Sequence, residues 1–208
     1  APALATLPPG TAGAGCFDGD GYLGSNGCAG DDAHLKATRD IHQPSAAVYV
    51  MADTLALEAG RHIGGGTVGA AVNAAAIDTR VNTVGARSAQ GTGTTTGNIF
   101  LNEQQAGGDL QVGQANHLIA GAGTIDGVQV DTGDLGTTGS VTINVEDGSG
   151  AADKALEVTQ LVSAPDDVIL HAGTADAGGF DDDVYLGANV IAGDDAHLKA
   201  TRDIHQPS

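Results

Sequence analysis

The sequence predicts an all-β fold, a parallel β-solenoid in which residues 1–208 form one domain. Apolar and polar residues alternate over many short segments, clusters of Gly, Asn, Asp and Thr separate those segments, and part of the sequence repeats. Alternation with a period of two predicts half-buried strands, and the turn-forming clusters predict the corners between them. Aromatic residues make up 3% of the chain against 41% hydrophobic residues, so we expect a thin, aliphatic core.

An internal repeat organises the sequence. Residues 1–45 align without a gap with residues 164–208, and 32 of the 45 positions are identical. The string GDDAHLKATRDIHQPS occurs twice unchanged, as residues 30–45 and 193–208. The joint at residues 160–167 holds a single Pro and continues into a strand pattern, which favours continuous stacking over two sandwiches joined by a linker. With about 20 residues per coil and ~4.8 Å between stacked strands, the 163-residue unit would form roughly eight coils.

Nine segments show the alternation of half-buried strands. They are residues 48–50, 55–57, 99–101, 110–112, 128–130, 141–145, 156–158, 168–170 and 184–186. Residues 67–79 are open to a second interpretation, a short helix, because they are rich in Ala. Gly69 and Asn73 weaken that helix, and a strand pattern follows it.

Two features distinguish the first copy of the repeat from the second. Cys16 and Cys28 occur only in the first copy. Because they are present together and absent together, they suggest a disulfide and an oxidising compartment, with two unpaired thiols as the alternative. Pro8 and Pro9 also occur only there, and Pro cannot sit in a central strand. We therefore expect residues 1–28 to form an N-terminal cap.

The charge and hydropathy of the chain exclude several kinds of partner. There are 26 Asp and Glu residues against 8 Lys and Arg residues, which gives a net charge of −18 and a pI near 4.3. A polyanion repels nucleic acid and anionic membranes, so neither is expected to bind. No apolar run has the length that a membrane helix needs, so we expect no membrane insertion. No signal segment follows Ala1, which is typical of a processed product or an excised fragment.

Several strand-rich stretches resemble a known family of surface proteins. AIDTRVNTVGARS, GNIFLNEQQAGGDLQVGQ, GTIDGVQVDTGDLGTTGSVTINVEDGSG and DVILHAGTADAGG lie between residues 76 and 179. They resemble the β-strand repeats of giant bacterial surface proteins related to filamentous haemagglutinin. The resemblance implies right-handed parallel β-helices that form adhesive or structural stalks, and hence a secreted or cell-surface protein. The usual secretion-signal domain of that family is missing here, which leaves the export route open.

A second resemblance concerns calcium. Residues 178–198, GGFDDDVYLGANVIAGDDAHL, resemble the calcium-binding nonapeptide repeats of secreted toxins and proteases, although the nine-residue period fails and no full β-roll is implied. Asp side chains in Gly-flanked turns could supply the oxygen ligands that calcium requires, and the alternative is that they are solvated turn acids. The candidate calcium ligands are Asp18, Asp20, Asp31, Asp32, Asp181, Asp182, Asp183, Asp194 and Asp195.

The unchanged block is the candidate joint between copies of the chain. The C-terminal end has no Pro-rich cap, so it is expected to present unpaired strand edges that accept another copy, head to tail. The histidines of the block fit no zinc motif and are expected at the surface or at corners. The candidate assembly residues are Gly30, His34, Arg39, His42, Gly193, His197, Arg202 and His205.

The sequence thus predicts a structural function. It contains no nucleophile elbow, P-loop or dinucleotide-binding motif, so no enzyme activity is expected. We expect a subunit or segment of an extracellular bacterial fibre or adhesin stalk, such as those of a biofilm matrix, that stacks end to end with itself. The alternative is a module that binds glycan or a cell surface and uses a β-solenoid stalk for reach.

Overall fold

The computed structural model describes residues 3–5, 13–17, 21–23, 26–43, 47–64, 76–89, 97–104, 109–116, 123–131, 138–146, 155–173 and 182–207. Every regular element within these ranges is a β-strand, which confirms the predicted all-β class. The strands are β1 (Ala3–Ala5), β2 (Gly13–Phe17), β3 (Gly21–Leu23), β4 (Gly27–Cys28), β5 (Asp32–Ala37), β6 (Ile41–His42), β7 (Val50–Ala59), β8 (Ile77–Ala89), β9 (Ile99–Glu103), β10 (Leu110–Val112), β11 (Gln114–Asn116), β12 (Thr124–Asp126), β13 (Val128–Asp131), β14 (Val141–Val145), β15 (Ala155–Val158), β16 (Val162–Ala164), β17 (Val168–Ala172), β18 (Asp183–Leu186), β19 (Val190–Ala192), β20 (Ala196–Lys199) and β21 (Ile204–His205).

Parallel pairing dominates the fold. Sixteen strands form one sheet in which all the pairings of the described residues are parallel, and β1, β3 and β6 form a second, parallel sheet. Strands β11 and β12 pair antiparallel as a separate hairpin. Neighbouring parallel strands cannot be joined by a tight turn and need a longer connection. Here that connection is the stretch of chain that passes once around the stack before the next strand pairs. This architecture fits a β-helix-like fold.

Successive strands stack in register, so that equivalent apolar residues form rows. We call the chain between two neighbouring members of a row one coil. One row passes through Ala3, Gly21, Ile41, Ile63, Ile99, Val141, Val168 and Ala196. A second row passes through Leu35, Leu57, Ala86, Val128, Val162 and Val190.

The coils are not uniform in length. The coil from Gly21 to Ile41 spans 20 residues, as the sequence analysis assumed, whereas the coil from Ile99 to Val141 spans 42. The longer coil contains the β11–β12 hairpin, which leaves the main sheet between β10 and β13. Insertions at corners lengthen a coil without disturbing the rows, because the flanking strands keep their register.

The core is aliphatic, as expected. Leu, Ile, Val and Ala side chains from nearly all the strands form one buried cluster that is continuous along the stack. The predicted alternation is confirmed for β9, β10, β14 and β17, whose inward residues are buried and whose intervening residues are partly exposed. It is wrong for residues 55–57, all three of which are buried, and residues 48 and 49 lie outside the strand that begins at Val50. Of the segment open to a helical interpretation, residues 77–79 lie in β8, and most of the remainder lies outside the described residues.

The β11–β12 hairpin packs on the outside of the sheet and was not predicted. Ala115 and Ile125 of the hairpin form a small buried cluster with Ala56 of β7. Gly85 of β8 makes this contact possible, because a Cβ atom there would lie 2.6 Å from the carbonyl oxygen of Ile125. The hairpin therefore depends on a glycine within a long strand. No helix in the described ranges is long and apolar enough to cross a membrane.

Truncation of a central core residue tests this packing. Leu57 is fully buried at the middle of the second row. The variant Leu57→Ala is expected to lower the free energy of unfolding by about 2–5 kcal/mol, because it leaves a cavity that a continuous stack cannot close. Urea unfolding measures this change. Met51→Ala, on the same strand but 41% exposed, is the control and should change stability by no more than about 0.5 kcal/mol. Equal effects would contradict the assignment of inward and outward residues.

Candidate functional site

The two copies of the repeated sequence share one local pairing and differ in another. Gly21 and Tyr22 of β3 pair with Ile41 and His42 of β6, and Val184 and Tyr185 of β18 pair with Ile204 and His205 of β21 at the equivalent positions of the second copy. In the first copy β5 pairs with β2, whereas its counterpart β20 pairs with β17, so the two copies do not form identical coils.

The coil that follows also differs between the copies. In the first copy, β4 and β5 pair with β7, and Ile41 forms a bridge to Ile63. In the second copy, β19, β20 and β21 each pair with an earlier strand, and no described strand pairs with their other edge. We call the outer edge of β19, β20 and β21 the open edge.

The open edge exposes residues whose counterparts are buried. Ile41 is 1% exposed in the first copy, and its counterpart Ile204 is 47% exposed. Ile191, also on the open edge, is 52% exposed. Large apolar side chains at a sheet edge are typical of a surface that pairs with another strand.

An aspartate–arginine pair joins neighbouring coils at two places in the chain, which are not equivalent positions of the repeat. At the end of the first copy, Nε of Arg61, beyond the repeat, donates to Oδ1 of Asp40 at 3.1 Å, a second guanidinium nitrogen contacts Oδ2, and the backbone N–H of His62 donates to Oδ1 at 3.0 Å. In the second copy, Arg202 makes the same two contacts with Asp183, and the backbone N–H of Asp203 donates to Oδ1 at 3.1 Å. We call this arrangement the inter-coil clamp.

Position within the coil defines the clamp. The aspartate directly precedes a core residue, Ile41 or Val184, and the arginine lies two residues before the core residue of the next coil, Ile63 or Ile204. The pairing of the core residues thus brings each carboxylate to its guanidinium. A bidentate contact of this kind is among the stronger charge-assisted hydrogen bonds.

The clamp holds its carboxylates in the charged form. Burial alone would raise the pKa of Asp40, but hydrogen bonds from His42, the His62 backbone and Arg61 outweigh it and hold that pKa well below its usual range. For Asp183 the hydrogen bond from Arg202 is the main cause of a lowered pKa, against burial, and the Tyr185 hydroxyl and Asp203 backbone contribute.

Asp203 is the counterpart of Asp40, and it lies exposed on the outermost described coil. Ligand atoms of Asp183, Asp203 and His205 lie within 4.8 Å of one another, so this cluster could hold a metal ion. Arg202 already contacts Asp183, so a cation would compete with the clamp for that carboxylate. Asp203 was not among the predicted ligands. The only signal for it in the sequence is that it occupies the same position of the repeat as Asp40.

The predicted calcium ligands are dispersed. Asp18, Asp20 and Asp181 lie outside the described residues. Of the others, only Asp183 belongs to the cluster described above. Asp182 is buried, whereas Asp31, Asp194 and Asp195 are exposed and Asp32 is half-buried.

The register does not bring the two cysteines together. Cys28 is a free thiol that pairs with Met51 of β7. Cys16 pairs with Lys36, which in turn pairs with Glu58 of β7. Met51 and Glu58 are seven residues apart on one strand, roughly 20 Å. A disulfide needs Cα atoms within about 7 Å, so this register corrects the predicted Cys16–Cys28 bridge.

The predicted assembly residues fall into two environments. His34 and His42 are buried beneath the next coil, where their Nε2 atoms lie 3.8 Å from Glu58 and 3.6 Å from Asp40. Their counterparts His197 and His205 are exposed. Gly30, Arg39, Gly193 and Arg202 are exposed as well.

Two contacts of the second copy show how the open edge is held. The ring of His205 stacks on Tyr185, with the ring centroids 4.6 Å apart. A Cβ atom at Gly193 would lie 1.8 Å from the carbonyl oxygen of Pro165, so a glycine is required where this coil turns over the preceding one. The open edge is thus an ordered surface that is fixed to the coil beneath it.

A cleft of about 710 Å³ lies beside the β11–β12 hairpin. Its lining includes charged side chains stacked on successive coils, and Nζ of Lys36 contacts a Glu58 carboxylate oxygen at 2.5 Å. Arg87 and Asp126 also line it.

Comparison with known proteins adds no relative. No protein-family model, no curated protein and no solved structure matches the chain.

The lowered pKa of Asp40 predicts acid sensitivity. A carboxylate whose pKa is lower in the folded chain than in the unfolded chain stabilises the fold above its unfolded pKa, and that contribution is lost as the pH falls through the folded pKa. Asp40→Asn is expected to lower the free energy of unfolding at pH 7 by about 1–3 kcal/mol, because Arg61 loses its charged partner.

Urea unfolding between pH 7 and pH 2 measures this contribution. The difference between Asp40→Asn and the unaltered chain should shrink below roughly pH 5. Asp31→Asn, at an exposed acid, is the control and should show a difference near zero throughout. A difference for Asp40→Asn that is constant down to pH 2 would contradict the charged state assigned to the clamp.

Proposed function

We propose that the chain is a structural segment of an extracellular bacterial fibre or adhesin stalk, a β-solenoid of tandem repeats that stacks end to end. The observation that carries the proposal is the open edge: the sequence that is covered by a further coil in residues 30–43 is repeated in residues 193–206, where no described coil covers it. A surface that the same chain buries elsewhere is suited to burial by another copy.

The physical chemistry of the open edge favours such stacking. Ile204 pairs in register with the buried Val184 and is 47% exposed, so its burial would contribute on the order of 1 kcal/mol. Backbone groups along the edge would gain the parallel pairing that joins the inner coils. An edge of this kind promotes association unless it is covered or charged.

The remaining parts of the proposal follow from a stalk function. The chain would be secreted or displayed at the cell surface, its main partner would be another copy of itself, and it would perform no enzymatic reaction. The absence of a matching relative leaves the likeness to haemagglutinin-related adhesins as part of this proposal.

Calcium is the cation that we propose for the acidic corners. A chain of net charge −18 opposes its own stacking, and a bound cation reduces this repulsion. Asp166 and Asp167 lie on the coil directly beneath Asp194 and Asp195, as the backbone hydrogen bond from Asp194 to Asp166 shows. Among the described residues, the group whose ligand atoms lie within 4.8 Å of one another is Asp183, Asp203 and His205, where two carboxylates would supply oxygen ligands of the kind that calcium prefers.

Electron microscopy of the purified chain tests the structural function. Linear filaments are expected, and Ile204→Asp should abolish them because it places a charge at the centre of the buried contact. Met51→Asp is the control, since Met51 is exposed on the side of the stack and should leave assembly unchanged. Single short rods from the unaltered chain would contradict the proposal and favour the glycan-binding alternative.

Calcium dependence is tested by the mass of filament at equilibrium in sedimentation. Filament mass should rise with calcium up to about millimolar concentrations, the range of extracellular calcium sites, and should fall after chelation. Sodium chloride at the same ionic strength is the control for screening alone. An equal rise in sodium chloride would contradict calcium binding while leaving the assembly proposal intact.

A further inference from the structure

We propose that the cleft beside the β11–β12 hairpin is a binding site for an uncharged, extended oligosaccharide. The outer face of the main sheet forms one wall of this cleft, and the hairpin forms the other. The residues that line it lie between positions 36 and 129, on the side of the stack. The inference therefore goes beyond the end-to-end function proposed above and does not depend on it.

Four polar side chains line the sheet wall, one from each of four stacked strands. In the order of the coils they are Lys36, Glu58, Arg87 and Gln129, and we call them the polar row. Each member pairs in register with the next. Neighbouring members are thus ~4.8 Å apart, and the row spans roughly 14 Å. This spacing is close to the length of one sugar ring in an extended chain, so the row can contact successive sugars of one molecule.

Hydrogen bonds hold the hairpin wall in position. Thr124 and Asp126 of β12 line this wall. Nε2 of Gln114 donates to Oγ1 of Thr124 at 3.3 Å and to Oδ1 of Asp126 at 2.8 Å. Nε2 of Gln129 donates to the backbone carbonyl of Asp126 at 2.6 Å, which ties the hairpin to the polar row. A carboxylate has about four acceptor positions, so Asp126 can accept further bonds from a ligand.

The charges of the lining favour an uncharged ligand. Lys36 and Arg87 are balanced by Glu58 and Asp126, although the whole chain has a net charge of −18. A polyanion would gain no net attraction from this lining and would be repelled by the rest of the chain. Ammonium and guanidinium donors lie beside carboxylate acceptors, and a sugar hydroxyl both donates and accepts hydrogen bonds. A chain of hydroxyl-bearing sugars therefore matches the lining.

The size of the cleft suits such a ligand. Its volume of about 710 Å³ is within the range of roughly 300–1,000 Å³ that is usual for small-molecule sites. At one sugar per coil, the polar row would contact about three sugars. The hairpin that closes the cleft belongs to an insertion, and insertions carried by a rigid scaffold are frequent sites of binding.

Isothermal titration calorimetry with uncharged, extended oligosaccharides tests the inference. The probes are cellohexaose, mannohexaose and chitohexaose, and at least one should bind with a Kd below about 1 mM. Hexagalacturonate, which carries a carboxylate on every sugar, should bind on the order of 10-fold more weakly than the best of them. Binding of none of the three uncharged probes would overturn the proposal, and so would tighter binding of hexagalacturonate.

Two substitutions test the opposite walls. Arg87→Ala removes a donor from the polar row and Asp126→Ala removes an acceptor from the hairpin, and both residues are exposed, so the fold should be retained. Each variant should bind the best probe on the order of 10-fold more weakly than the unaltered chain. Asp31→Ala, at an exposed acid outside the cleft, is the control and should bind normally. Unchanged affinity in both variants, or an equal loss in the control, would contradict this site.

A third variant removes the hairpin wall. A Cβ atom at Gly85 would lie 2.6 Å from the carbonyl oxygen of Ile125 and 3.0 Å from Cβ of Ala115. Gly85→Val should therefore displace the hairpin and abolish binding, while circular dichroism shows the strand content of the unaltered chain. Undiminished binding by this variant would overturn the two-walled site. Asp126→Ala should leave filament formation unchanged, so failure of this site and failure of the fibre proposal are separate outcomes.

Discussion

In-register parallel pairing between successive coils is the constraint on which the rest of the structure depends. Each coil buries the apolar side chains of the coil beneath it, and each exposes an edge that the next coil must cover. The continuous aliphatic cluster and the rows through Ile99 and Leu57 follow from this rule. So does the position of the inter-coil clamp, because Asp40 meets Arg61 only if Ile41 stacks on Ile63.

The same constraint connects fold to function. A stack of coils has two ends, and the described C-terminal coil presents an ordered edge with half-exposed isoleucines and an exposed Asp203. In the first copy of the repeat, Ile41 and Asp40, the counterparts of Ile204 and Asp203, are buried, and Arg61 holds Asp40. Because the repeated sequence is covered by a further coil in residues 30–43 and uncovered in residues 193–206, the first block shows which contacts the second block does not make. In the proposed fibre, a second copy supplies the coil that covers this edge.

The sequence predicted correctly those features of the fold that depend on residues close together in the chain. Period-two alternation placed β9, β14 and β17 correctly, because half-buried strands need that alternation. It could not place the β11–β12 hairpin, whose packing depends on Gly85 in a distant strand. It paired Cys16 with Cys28 by their shared occurrence, whereas the register separates them. The clamp was missed because its partners come from different coils, and only the lengths of the coils between them decide which acid meets which arginine.

The most direct test of this account is a cryo-electron microscopy map of the filament at a resolution that separates stacked strands. The account predicts an unbroken ladder of parallel strands, spaced by ~4.8 Å, that runs through the junction between copies. A junction at which the ladder is interrupted, or at which copies contact one another through the sides of the stack, would contradict the central claim that the open edge is the site of assembly.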